Sequence, residues 1–161
     1  MMYTLVSHPE DPQFPHELRF GDFDRRFVLR GGEPFLCVWV PEKPLWVEED
    51  TALFGDYLLI GTQDSVHGIR LSDLSVQTFS VNLYFKAFLV HEGRLYVFDA
   101  EGIFALDEHL RILWQNRHLA VDGVLPQGMA DENTLCIACE MDPPGGWVQQ
   151  KIDLRNGMVV N

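Results

Sequence analysis

A short pattern that returns at a nearly constant interval limits what this chain can fold into. Gly55-Asp-Tyr-Leu-Leu-Ile, Gly93-Arg-Leu-Tyr-Val-Phe and Glu132-Asn-Thr-Leu-Cys-Ile each place a turn before an apolar run. Leu58, Leu95 and Leu135 are their equivalent anchors, 37 and 40 residues apart. A second run follows each, in His67-Gly-Ile-Arg-Leu, Glu101-Gly-Ile-Phe-Ala-Leu and Gln150-Lys-Ile-Asp-Leu. A third then follows in Ser75-Val-Gln-Thr-Phe, Arg111-Ile-Leu-Trp and Gly157-Met-Val-Val. The runs are short, rich in β-branched and aromatic residues, and punctuated by Gly, Asp, Asn and Pro, which is strand chemistry. Helix-length windows with a 3.6-residue stripe are scarce, and the best one, Asp107 to Leu119, reads better as a turn and a strand.

Successive hairpins in units of about 40 residues are the signature of a propeller blade, a meander that buries its faces against neighbouring blades. The expected fold is therefore all-β, with antiparallel meander repeats forming a partial or small β-propeller-like domain; a twisted β-sandwich is the alternative. The segment Gly102-Ile-Phe-Ala-Leu-Asp-Glu-His-Leu-Arg-Ile-Leu-Trp114 resembles the repeat of quinoprotein-type propellers, in which a strand ending in Ala-x-Asp leads through a glycine turn to a docking tryptophan. Ala105, Asp107 and Trp114 match it, and Leu110 replaces the turn glycine. The resemblance covers residues 55–161 loosely. It implies blade-like repeats and nothing about quinone chemistry.

At 161 residues the chain is expected to form one domain, with 55–161 holding about three repeats and 1–54 an N-terminal irregular segment with hairpins. The prolines at 9, 12 and 15 exclude regular structure across 8–16. Beyond them Arg25–Arg30, Phe35–Val40 and Pro44–Val47 read as strands. An uncovered sheet edge leads to the expectation of a homodimer.

Twenty-four acidic side chains against twelve basic ones give a net charge of −12, spread along the chain. Such a field repels phosphate backbones and anionic lipid, so neither nucleic acid nor a membrane surface is an expected partner; a protein with a basic surface is. There is no long apolar span and no leader-like start, and three cysteines is an odd count, so the cytoplasm is the expected compartment.

Catalytic patterns are weak. Cys136-x-x-Cys139 has redox or half-zinc spacing, but it lies in a strand, where i and i+3 point to opposite faces, and no second ligand pair exists. His8, Glu10, Asp11 and His16 match no metal pattern with a mechanism. Asp64, Ser65 and His67 are close in sequence but lack an elbow signature, and His67, His91 and His109 read as surface turn residues. Phosphate-binding glycine motifs are absent, and lysine totals three. No cofactor, metal or catalytic residue is expected.

The aromatic residues carry the binding expectation. Trp46 lies beside Glu48, Glu49 and Asp50, while Trp147 follows the Pro143-Pro-Gly-Gly turn with Asp142 just before it. Aromatic side chains rimmed by carboxylates grip cationic partners by burial and cation–π contact. Trp39 and Trp114 are expected in the core. The expected function is a non-enzymatic protein-interaction module, of inhibitor or immunity type, that binds a basic partner. The alternative is a small-molecule or carbohydrate-binding protein, or a weak hydrolase, with a carboxylate and aromatic cleft.

Overall fold

In the computed structural model, which describes residues 1–7 and 13–160, the chain divides into two compact units, Met1–Pro44 and Leu45–Asn161. Every regular element among the described residues is a strand.

The first unit holds β1 (Tyr3–Val6), β2 (His16–Arg19), β3 (Asp24–Arg30) and β4 (Glu33–Val40) in one sheet of order β1-β3-β4-β2. β3 and β4 form a hairpin across Gly31-Gly32, both at positive φ, as the sequence leads one to expect. The segment 8–16 departs from its expected irregularity at its end: His16 opens β2, which lies parallel to β4 from His16↔Leu36 to Arg19↔Trp39. Pairing with so distant a strand overrides the proline signal just upstream.

The second unit is built from three sheets in chain order. β5 (Thr51–Phe54), β6 (Tyr57–Gly61), β7 (Ser65–Arg70) and β8 (Val76–Ser80) form an antiparallel four-stranded meander. β9 (Phe85–His91), β10 (Arg94–Asp99), β11 (Ile103–Leu106) and β12 (Ile112–Asn116) form the next. β13 (Val124–Met129), β14 (Thr134–Asp142) and β15 (Gly146–Asp153) form the last, where the expected strand at Gly157-Met-Val-Val is reduced to a single bridge, Ile152↔Val159. Leu58, Leu95 and Leu135 fall in β6, β10 and β14, the equivalent second strands. The fold is all-β and propeller-like.

The stacking of these sheets follows from side-chain parity. In β10, Leu95 and Val97 join the core shared with the first sheet, while Tyr96 and Phe98 join the core shared with the third. In β11, Phe104 and Leu106 point one way and Ile103 and Ala105 the other. A sheet buried on both faces needs apolar residues at every position, which is why these strands read as continuous rather than alternating runs. Each large side chain so buried contributes on the order of 2 kcal/mol.

Pro44–Val47, expected to be a strand, is a turn: Leu45 is fully exposed, Trp46 half exposed, and Val47 buried in the first core. Pro41 and Pro44 lack ladder donors, and no neighbouring strand takes up this segment.

Candidate functional site

The turn that displaces Pro44–Val47 from a sheet carries Trp46, Glu48 and Glu49 to one wall of a cleft of about 370 Å³. The other walls are Lys86–Phe88 of β9 and Leu125–Gln127 of β13, the first strands of the second and third sheets. The cleft thus sits where the edge strands of two sheets meet the turn.

Tyr84 backs one corner, behind the lining residues Trp46 and Lys86. Its ring meets Trp46 at 5.8 Å in an edge-on arrangement of 66°, and the Lys86 ammonium lies over it at 5.1 Å from the centroid. The phenol donates to Asp122, with the carboxylate Oδ1 at 2.6 Å and the backbone carbonyl as a second acceptor. Burial pushes this phenol well above its ordinary value, helped by the hydrogen bond to Asp122 and by the charges of Asp122 and Glu140. Tyr84 therefore stays a neutral donor and a fixed aromatic face.

Trp147 approaches the same corner from the third sheet. A Cβ on Gly123 would stand 3.1 Å from Lys86 Cε and 3.2 Å from the Trp147 ring, so both side chains close over a backbone that only glycine leaves bare. Glu140 is the register partner of Trp147 across β14 and β15 and also accepts from the Gly145 amide at 2.6 Å. Asp142 is exposed at the tip of that hairpin, opposite Gly146.

The structure thus gathers Trp46, Glu48 and Glu49 into one cleft and brings Trp147 to its Tyr84 corner. Asp142 stands at the hairpin tip above Trp147. Asp50, by contrast, is 5% exposed, and its carbonyl accepts from Gly61 at 2.7 Å, which makes it part of the interior of the first sheet. Tyr84, Lys86, Asp122 and Gly123 were not legible in the sequence, because packing of the second sheet on the third joins positions 38 residues apart. The one signal that points to them is Tyr84 itself, a lone tyrosine in a turn between two repeats.

The other sequence candidates resolve simply. The Ser65 hydroxyl donates to Asp64 at 2.9 Å, whereas His67 pairs with Thr78 at 3.0 Å; His67 lies inside β7, half-buried, rather than at a surface turn. Burial lowers its pKa, opposed by the charge of Asp64. Cys136 and Cys139 point to opposite faces, Cys139 into the second core, and all three thiols are free. Burial pushes the Cys139 thiol up to about 11. His8, Glu10 and Asp11 lie outside the described residues, and among the described ones no three His, Cys, Asp or Glu side chains form a metal-holding group. Trp39 is half-buried, flanked by Arg19 at 4.5 Å and Arg25 at 5.3 Å and donating to Glu17. Trp114 is partly buried against the second core.

No family model matches the chain, and no curated protein matches it. Among solved structures, the computationally designed Ika4 protein is similar over 75% of this chain and 79% of its own, with a TM-score of 0.54 at 7% identity. BamB from Moraxella catarrhalis is similar over 66% of this chain and 34% of its own, with a TM-score of 0.43 at 17% identity. The likeness to Ika4 is one of fold alone.

Proposed function

We propose that this chain is a non-enzymatic interaction module that binds a protein with a basic surface through the cleft lined by Trp46, Glu48 and Glu49. The supporting observation is the cleft itself: an acidic wall and an aromatic corner around about 370 Å³, in a chain of net charge −12. Aromatic anchors surrounded by like charges give a partner both a hot spot and long-range steering. The three free thiols suit a reducing cytoplasm, and an inhibitor or immunity role fits a small acidic binder. The quinoprotein-like pattern at 102–114 is carried here as a likeness of repeat design, with no bearing on chemistry.

The test compares the wild type with a Trp46→Ala/Glu48→Gln/Glu49→Gln variant as bait in extract of the source cells at low ionic strength. The expected result is one basic protein retained in stoichiometric amount by the wild type, lost by the variant and lost as salt is raised. Equal retention by both baits, or no basic protein on either, overturns the reading.

A homodimer is the second proposal, favoured by one observation: the third sheet has three strands and one bridge where the others have four strands. Along the edge of β15, Trp147–Gln150 carry no charge, so a second copy meets no like-charge repulsion there. Sedimentation equilibrium is expected to give a dimer that Val148→Lys returns to monomer. A monomer at all concentrations overturns it.

A further inference from the structure

The cleft holds a cation of its own, and this inference rests on the reading of the cleft as a seat for a basic partner. Lys86 is one of only three lysines in the chain, and it stands on the cleft wall with its ammonium 5.1 Å from the centre of the Tyr84 ring. Among the described residues it makes no ion pair, although Glu48 and Glu49 line the same cleft. The ring therefore provides its specific attraction. A contact of this kind at a partly exposed site is weak. Holding a lysine stem in one rotamer costs conformational entropy of a similar size. Lys86 is thus seated weakly enough to be displaced.

The seat is more rigid than its occupant. Tyr84 is fixed on one side by Trp46 and at its hydroxyl by Asp122, so the ring keeps its place when the lysine swings away. An incoming guanidinium stacks on such a ring with its flat face and still has five donors at its rim. Glu48 and Glu49, across the cleft, add negative charge that favours a cationic guest.

We propose that the Tyr84 and Trp46 corner of the cleft is the seat for an arginine side chain of the partner, and that Lys86 occupies it in the free protein as a built-in competitor. Binding then exchanges one cation for another at the aromatic face, and the displaced lysine moves out to solvent.

The probe is a blocked hexa-arginine peptide titrated at low ionic strength, followed by calorimetry. Lys86→Met keeps the stem and removes the competing charge, so it is expected to bind about three- to tenfold tighter than wild type, from the lost cation–π contact and the lost like-charge repulsion. Lys86→Arg keeps the competitor and is expected within about twofold of wild type. Trp46→Ala is expected to weaken binding about tenfold or more, as for a hot-spot aromatic. Lys151→Met makes the same change of net charge on β15, outside the cleft, and is expected to leave affinity within about twofold of wild type. Lys86→Met binding no tighter than wild type, or no tighter than Lys151→Met, overturns the competitor role while Trp46→Ala still reports on the cleft. If the peptide binds neither the wild type nor Lys86→Met, the basic-partner reading falls with it.

Discussion

Leu110 fills the space that Gly68 leaves open. A Cβ on Gly68 would come within 2.4 Å of Leu110 Cδ1, and Leu110 is 1% exposed in the core between the first two sheets. Leu110 also holds φ at +57°, a left-handed conformation that costs a non-glycine residue about 1–2 kcal/mol. At the matching turn of the third sheet the residue is Gly157, at +74°. The second sheet accepts the strain because the side chain it gains docks that sheet on the first.

Gly68→Ala is expected to destabilise the protein by about 1–3 kcal/mol through overpacking. Leu110→Ala is expected to cost about 2–4 kcal/mol through the cavity it leaves. Because the new methyl then occupies emptied space, the double variant is expected to lose clearly less than the sum. Urea unfolding of the four proteins measures this, and strict additivity would show that the two positions do not touch.

Trp114 links the second sheet to the third. Its indole N–H donates to the Leu154 carbonyl at 3.0 Å, beside the Tyr96 hydroxyl at 3.3 Å, and its ring covers Gly157. Trp114→Phe removes one hydrogen bond and is expected to cost about 1 kcal/mol, whereas Trp114→Ala is expected to cost about 3–4 kcal/mol. Hydrogen exchange in Trp114→Ala is expected to quicken at β15 before β6. Equal loss of protection in both strands would contradict a local docking role.

The thiols are expected to differ in reactivity. Burial raises the Cys37 and Cys139 thiols, whereas Cys136 is half-buried on the opposite face of β14. A thiol-specific chromogenic reagent is expected to titrate one group quickly in the native protein and all three in denaturant. Cys136→Ser should abolish the fast phase; a fast phase that survives would place the reactive thiol elsewhere.

His67 makes stability depend on pH in one direction. Burial lowers its pKa from an ordinary value near 6.5, so the unfolded chain binds the proton more readily than the folded one. Stability is then fully present above about 6.5 and falls as pH drops below it. Asp107 and Asp153 act lower: hydrogen bonds from the Arg111 backbone and the Arg155 side chain, respectively, hold both near 2, so their contribution is lost only as pH falls below about 4. Urea midpoints at pH 7.5 and 5.5 are expected to differ less in His67→Gln than in wild type. Identical differences would assign the titration to another group.

The repeat was legible because β6, β10 and β11 are buried on both faces and spell apolar runs. The first strands were harder to see. β13 contains Pro126 and Gly128 around a register shift, and β9 carries Lys86 within an apolar run because that residue faces a cleft. The acidic and aromatic half of the site, Trp46 with Glu48 and Glu49, was visible as adjacent residues. Its other half was not, since Tyr84 reaches Asp122 only through the packing of the second sheet on the third.

Local chemistry was enough to specify strands, turns and a period near 40 residues, because side-chain alternation and turn propensity act over a few residues at a time. Which faces meet, and which charged groups share a cleft, depends on complementary shape between segments far apart in the chain. Leu110 against Gly68, and Lys86 and Trp147 over Gly123, are contacts of that kind: each needs an absent Cβ on one partner, and no window of sequence contains both.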